Sequence, residues 1–443
     1  MPREVRWKKQ ATPPRASIAL AHRQYNAPSE RPSNDAWSPS NGNHPAVGAA
    51  RHYNGPTEKQ MVATARSVER HSLVRIEQPP RRLTVEREPS EGAWRRLIDA
   101  TSASPLQAAE WGAVKRETGW QAIRVAVSEH DRLIAGAQVL LRQTPLGKVA
   151  YVPRGPIADY GDPQVTDTLM LEITELARMH GAIALRIEPN ARRCADLDAF
   201  ARRWRLSPAN PVQPRSTLIV DLTLGPVALW DRLSQRTRYN IRLASRRGIS
   251  VVEGEESDVP LFHSLLAETG RRAGFAVHSR EYFESVWHHF GRQGLARLLF
   301  ALRAGTVLSA ALDLTMAGTT YHLYAASSEA GREHKPNDLL QWEAIRRAQC
   351  EGSRTYDMWG IPDEVGQACE EGWPEPASGT GGLWGVYAFK RGFGGAVVRY
   401  SGAFDLPLVP ARHWLWRQTV DRVRWLKTNL NAAAAVTRTR AER

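Results

Sequence analysis

Lys390 ends a predicted helix over 382–390 and is followed at once by Arg391-Gly392-Phe393-Gly394-Gly395. A lysine beside a glycine turn can pair with a phosphate or stabilise an oxyanion. The same letters also describe a helix C-cap whose terminal cation complements the helix dipole. A denser feature runs from Arg232 to Gly248, with six arginines and no acid. Arg238, Arg242 and Arg246 are spaced i, i+4, i+8 and therefore share one helical face. Like charges at that spacing cost a helix a few tenths of a kcal/mol each (about 0.2–0.5). A bound polyanion would relieve the cost, because guanidinium forks match phosphate oxygens. A solvated basic face explains the pattern equally well. On the opposite side of that helix Ile241 and Ala244 can face a core, and Gly248 can end it.

Two further stretches carry weaker signals. Tyr151-Val-Pro-Arg-Gly-Pro-Ile-Ala-Asp159 places a rigid turn after an apolar strand, from which Arg154 and Asp159 could reach a cleft. A purely structural turn is its default reading. Lys115 lies on an amphipathic helix, ordinarily a surface position. No metal ligand set is expected: His288 and His289 are adjacent, hence about 100° apart on a helix, and Cys194, Cys350 and Cys369 are scattered.

The elements that must position these residues follow from periodicity. The pattern predicts helices over 92–100 and from Leu106 to near Gly119, then strands at 122–127, 133–141 and 149–152. A helix over 165–179 and a strand at 182–187 complete that passage. The same order recurs after Thr217: a strand at 218–222, helices from Pro226 and over 237–247, and a strand at 249–253. Helices over 260–272 and 280–290 follow, then strands at 297–303, 307–316 and 320–325, a helix over 336–350 and a strand at 355–358. The glycine-turn helix and a strand at 396–400 come last. Two helix–helix–meander–helix–strand passages in one chain imply two similar domains. The expected division is a basic disordered tail over 1–82, domain one over 83–212 completed by 398–431, domain two over 213–397, and a basic tail over 432–443.

Composition agrees with an ordinary folded protein. The chain has 443 residues, 42% hydrophobic, with 15 tryptophans, three cysteines and a net charge of +14. The first 80 residues carry 12 basic and 6 acidic side chains, and residues 411–443 carry 8 and 2, so most of the excess lies at the two ends. Pro, Ser, Asn and Gly interrupt every apolar run before residue 80, too little to offset chain entropy. A basic chain favours anionic partners, whether nucleic acid, phosphorylated molecules or an anionic membrane face. Trp414, Val420, Val423, Leu426 and Leu430 form an apolar stripe on a predicted basic helix over 411–431. Packing against domain one or attachment to anionic lipid would each use it. There is no signal-peptide pattern and no spanning apolar run, so a cytoplasmic protein is expected, with at most peripheral contact at the inner membrane face.

Taken together, the stretches resemble the Fem family of aminoacyl-tRNA-dependent transferases, which build peptidoglycan interpeptide bridges. The resemblance is carried by Leu106-Gln107-x-x-x-Trp111-x-x-x-Lys115, Tyr151-x-x-Arg154-Gly155-Pro156 and Arg238-x-x-Ile241-Arg242-x-Ala244-x-x-x-Gly248. It continues through Tyr356-Asp357-x-x-Gly360, Phe389-Lys390-x-Gly392-Phe393-Gly394-Gly395 and Tyr400-x-Gly402. It covers about residues 84–405. It implies an α/β (α+β) fold of two tandem N-acetyltransferase-like domains. It implies transfer of an amino acid from aminoacyl-tRNA to a stem-peptide amine of lipid II or UDP-MurNAc-pentapeptide, with no cofactor. By the same resemblance Lys390 would stabilise charge during transfer. Lys115 and an arginine among Arg238, Arg242 and Arg246 would hold the acceptor's pyrophosphate, with Asp159 and Tyr324 as further acceptor contacts. Two other functions stay open: an acyl-CoA-dependent N-acyltransferase on the same fold, and a non-catalytic tRNA- or precursor-binding protein. The phosphate-binding pattern of the former is matched in letters by Arg271-Arg-Ala-Gly274-Phe-Ala276. That match lies before the central strands rather than after them.

Overall fold

The computed structural model describes residues 81–379 and 382–419. The expected tails over 1–80 and 432–443, and the far part of the C-terminal helix, lie outside the described residues.

The first passage opens with β1 (Leu83–Arg87), α1 (Glu91–Thr101), a short 3-10 turn (Pro105–Gln107) and α2 (Ala109–Glu117). A meander follows: β2 (Gln121–Glu129), β3 (Arg132–Thr144) and β4 (Gly147–Val152). α3 (Pro163–Met179) then crosses over to β5 (Ala182–Ile187), which runs parallel to β4. α4 (Ala195–Arg203) and the three-residue β6 (Ser207–Ala209) end the passage. α3 begins on Asp162, whose side chain accepts the Val165 N–H. Its stripe of Val165, Leu169, Met170, Ile173 and Leu176 is buried against Val125, Val139 and Leu185 of the sheet.

The second passage repeats the order. It holds β7 (Ser216–Asp221), α5 (Pro226–Arg232), α6 (Gln235–Arg246) and β8 (Ile249–Glu253), then α7 (Val259–Ala273) and α8 (Arg280–Phe290). The meander is β9 (Ala296–Arg303), β10 (Thr306–Met316) and β11 (Thr319–Ser327). α9 (Pro336–Cys350) crosses over to β12 (Thr355–Ile361), parallel to β11. α10 (Asp363–Glu371), α11 (Gly382–Arg391), β13 (Ala396–Arg399) and β14 (Ala403–Pro407) complete it.

The strands form two seven-stranded sheets, ordered β1-β2-β3-β4-β5-β14-β6 and β13-β7-β12-β11-β10-β9-β8. In each, one parallel pair sits among antiparallel neighbours, and one strand comes from far along the chain. β14 inserts between β5 and β6 of the first sheet. It is anchored by Asp405, which is buried and accepts a bidentate pair from Arg186 on β5 at 2.7 and 2.9 Å. His413 reaches the same carboxylate at 3.1 Å from the helix that begins at residue 410. That helix exposes Trp414 (60%), so within the described residues this member of the expected apolar stripe is not packed.

The connection between the two passages is held residue by residue. Arg186 donates to the Asn210 carbonyl at 3.2 Å. Glu188, buried, accepts the N–H groups of Val212 and Gln213 and the Tyr151 hydroxyl. Arg154 donates to the Pro214 carbonyl at 2.7 Å, and Arg215 and Tyr400 bond each other's backbone. Burial pushes the Glu188 carboxyl up, and the hydrogen bonds from Tyr151 and the two backbone N–H groups oppose that. A linker whose polar groups are satisfied in this way sets how the two sheets present their residues to one another.

Candidate active site

β4 ends at Val152 and the chain turns through Arg154, which has a left-handed backbone (φ 50°), and a cis Gly155–Pro156 bond. The turn is braced from below by Gln107, the glutamine of the Leu106-Gln107 motif. Its amide donates to the Pro153 carbonyl at 2.6 Å and accepts the Gln138 N–H at 2.8 Å. A Cβ at position 155 would lie 2.9 Å from the Gln107 side chain, so this position requires glycine. The turn aims the buried Arg154 guanidinium across the boundary between the sheets. It lies 4.1 Å from the centre of the Tyr400 ring and 5.2 Å from that of Trp359.

Trp359 sits where the β12–β7 ladder loses register between Asp357 and Gly360. Its φ of 60° is uncommon for a bulky residue, and such strain persists where the surroundings enforce it. The distortion has two consequences. Asp357, 1% exposed, accepts the Trp359 N–H at 2.7 Å and the Thr217 hydroxyl. The carbonyls of Trp359 and Gly360 turn toward Lys390, whose ammonium donates to them at 3.4 and 2.7 Å. Burial lowers the Lys390 pKa to about 8, opposed by the charge of Asp357. Burial raises that of Asp357.

The glycines after Lys390 have a different role from the one their letters suggest. A Cβ at Gly392 would lie 2.3 Å from the Thr237 hydroxyl, and one at Gly395 would lie 2.7 Å from the Ile219 carbonyl. The turn packs closely on α6 and β7 and so fixes the helix that carries Lys390.

A second lysine cluster lies on α2. The Lys115 ammonium stands 4.5 Å from the centre of the Trp111 ring and 5.0 Å from that of Tyr282 on α8. Tyr282 hydrogen-bonds the Tyr324 hydroxyl on β11 at 2.9 Å, and His278 stacks on the Tyr282 ring at 4.0 Å. Among the described residues Lys115 has neither a carboxylate partner nor a hydrogen-bond acceptor. Burial, with the charge of Arg142 added, lowers its pKa to about 8. His278 is lowered by burial and by Lys115. Tyr324 is pushed up to about 12 by burial, so both phenols stay protonated donors at neutral pH. A half-buried cation without a counter-charge among the described residues, walled by aromatic faces and phenols, is suited to an anionic ligand group.

The structure thus brings Lys115 and Tyr324 together, and gathers Lys390 with Asp357, Trp359, Arg154 and Tyr400. It places the other expected residues elsewhere. Asp159 is exposed and turns back to accept the Gly161 N–H at 2.9 Å in its own loop. Arg238, Arg242 and Arg246 lie on the outer face of α6. Arg238 donates to the Asp231 carbonyl at 2.9 Å and Arg242 sits 5.2 Å over Trp230. The second cation at Lys115 is Arg142, which the sequence reading did not select, as it did not select Tyr282 or His278. Gly274, the glycine of the acyl-CoA-like letters, has φ 74° and caps the C-terminus of α7. It does not open a phosphate-binding helix.

Two sheets of one topology, each with its parallel pair and crossover helix, make this a tandem N-acetyltransferase-fold protein. Residues 232–368 match the acetyltransferase (GNAT) domain model, and residues 98–199 match that of the FemAB family. The solved crystal structure of FemX superposes with a TM-score of 0.67 at 21% identity, covering 75% of this chain and all of that one. The lipid II:glycine glycyltransferase of Staphylococcus haemolyticus (strain JCSC1435) is 25% identical over 402 residues, 74% of this chain and 93% of that relative. The protein of the same name from Staphylococcus aureus (strain MRSA252) is 24% identical over 404 residues, with the same coverage. The chain is thus similar to FemAB-family proteins: the family model matches part of its first half, and the glycyltransferases resemble it over about three quarters of its length.

Proposed function

We propose that this protein is an aminoacyltransferase that moves an amino acid from aminoacyl-tRNA to the stem-peptide amine of a peptidoglycan precursor, building interpeptide bridges. The observation that carries the reading is the pairing of two half-buried lysine sites of opposite character in a chain that spans 93% of a lipid II:glycine glycyltransferase. Lys115, with its aromatic and phenolic walls and Arg142, is the seat for the precursor's pyrophosphate. Lys390 is the transfer residue. The precursor's neutral amine attacks the ester carbonyl of the charged tRNA. The new N–C bond forms, the ester C–O bond breaks, and the amine's proton leaves with the tRNA hydroxyl. The Lys390 ammonium stabilises the oxyanion on that path, and the Trp359 and Gly360 carbonyls hold it in place. Lipid II is the favoured form of the acceptor, since the matched relatives are named for it.

The test is mass spectrometry of a purified precursor after incubation with the full chain and a mixed pool of charged tRNA. The reading expects a precursor heavier by one amino-acid residue, formed only when the tRNA is charged. Modification by acyl-CoA without tRNA would replace this function with the acyl-CoA alternative.

A further inference from the structure

α6 is built with one face inward and the other bare. Thr237, Ile241 and Ala244 are buried, and Asn240 ties the helix to Asp338 of α9 at 3.0 Å. Opposite them lie Arg238, Arg242 and Arg246, with Tyr239 between them 56% exposed. Several arginines elsewhere are neutralised: Arg186 by Asp405, Arg297 by Glu253 and Glu351, Arg399 by Asp363 and Glu370. Among the described residues none of Arg238, Arg242 or Arg246 forms an ion pair with a carboxylate, whereas Arg232 and Arg236 lie near Asp221 and Asp338. A helix that stacks cations at i, i+4, i+8 without acids accepts self-repulsion that a polyanion would remove.

The helix also touches the transfer site. The Ser234 N–H that opens α6 donates to the Gly392 carbonyl at 2.8 Å, two residues after Lys390. Ser234 and Gly392 share the wall of a 690 Å³ cleft with Trp384, Tyr387 and Arg391. A polyanion on α6 therefore runs alongside the helix that carries Lys390.

We propose that the exposed arginine face of α6 is the docking surface for the RNA backbone of the aminoacyl donor, and not part of the acceptor's pyrophosphate site. The inference rests on the proposed transfer reaction only for the identity of that RNA. Guanidinium groups at about 5–6 Å spacing on a helix, interleaved with an exposed tyrosine ring, give both halves of nucleic-acid contact: phosphate pairing and base stacking. An anionic bilayer fits this face less well. Membrane-lying helices bury an apolar stripe in lipid, whereas the apolar stripe of α6 is already buried in the protein.

The experiment measures binding of the full chain to an RNA acceptor-stem hairpin with a single-stranded 3′ end, by fluorescence anisotropy from about 50 to about 200 mM salt. The Arg238→Ala/Arg242→Ala/Arg246→Ala variant should bind at least about tenfold more weakly, and its salt slope should flatten by about 2–3. The triple Arg→Lys variant should restore most of the slope. Transfer from an aminoacylated dinucleotide, which carries no stem, should keep the wild-type rate in the alanine variant. Unchanged RNA binding would overturn the proposal. So would equal loss of transfer from the dinucleotide, which would put the arginines in the transfer site. So would loss of binding to phosphatidylglycerol vesicles with RNA binding intact, which would make the face a membrane surface. If no donor supported transfer but the arginine-dependent RNA binding held, the proposed reaction would fail and this surface would stand.

Discussion

The two halves share a topology and each carries a half-buried lysine with a pKa lowered to about 8, yet opposite surroundings bring the two lysines there. Lys115, in the first half, is lowered by burial and by a second cation, Arg142, and only aromatic rings and phenols face it. Lys390, in the second, is lowered by burial alone, while Asp357 pulls it upward and two backbone carbonyls hold its protons. Among the described residues the first site has spare positive charge and no acceptor, an arrangement that gains from an anion already charged in the ground state. The second has its charge balanced and its direction fixed, which suits charge that appears only along the reaction path. The frame is common to both halves, and what differs is the set of partners around each lysine.

The largest effect should come from breaking the frame. Asp405→Ala leaves Arg186 buried without its carboxylate and His413 without its acceptor, at a cost of about 3–5 kcal/mol. Denaturant unfolding should show a loss of stability of that size, seen as a lower midpoint, with β14 the strand released. An unchanged midpoint would mean that β14 does not hold the first sheet together. Next is Lys390→Met. Loss of one oxyanion donor costs about 3 kcal/mol, roughly a hundredfold in single-turnover transfer. Acceptor affinity, read by calorimetry, should barely move. Weaker acceptor binding with an unchanged saturated rate would reverse the roles of the two lysines.

How far the sequence could carry this division depends on the range of each interaction. Local periodicity sufficed for α3, for β5 and for the buried stripe of α6, because each signal lies within a few turns of chain. It assigned 398–431 to the first domain but did not locate β14, whose five residues end in Pro407 and whose partners on β5 and β6 lie some two hundred residues earlier. It missed β1 as well, an edge strand exposed along most of its length. At the site, Lys115 and Lys390 were legible through their motifs, and Arg154 through its turn. Tyr282, His278 and Arg142 were not. They come from a helix, the loop before it and a strand, and nothing in their neighbouring letters separates them from ordinary surface residues. The arginines of α6, which the resemblance joined to Lys115, lie on the outer face of α6, and Arg142 is the cation whose charge acts on Lys115.

Lys115→Met sharpens the comparison at smaller scale. A charged hydrogen-bond partner is worth about 1.5–3 kcal/mol, so the acceptor dissociation constant should rise about tenfold or more while the rate at saturation is kept. Tyr282→Phe removes only the phenol that bonds Tyr324 and should cost about 1 kcal/mol of acceptor affinity. If both variants lowered the saturated rate and left binding alone, Lys115 would belong to the transfer step.

The smallest effect is the most discriminating, because it tests the charge states themselves. Lys115 carries its proton below about 8 in the folded protein and below about 10.5 when unfolded. Between those values the unfolded chain binds more protons, so the contribution of this group to stability rises with pH across that window and is constant below it. Acceptor binding should move the opposite way. An anion needs the ammonium, so affinity should be flat from about pH 6 to 7.5. Above about 8 it should fall by up to tenfold per pH unit, until the proton is lost from the complex as well. In Lys115→Arg the charge persists and the fall should vanish, and in Lys115→Met affinity should be low and flat. Lys390 predicts a separate signature, a decline in saturated rate above its own pKa with no change in acceptor affinity. Calorimetry and single-turnover rates over the same pH series therefore read the two lysines independently. If the affinity decline survived in Lys115→Met, the titrating group would be another one, and the division of labour between the halves would have to be redrawn.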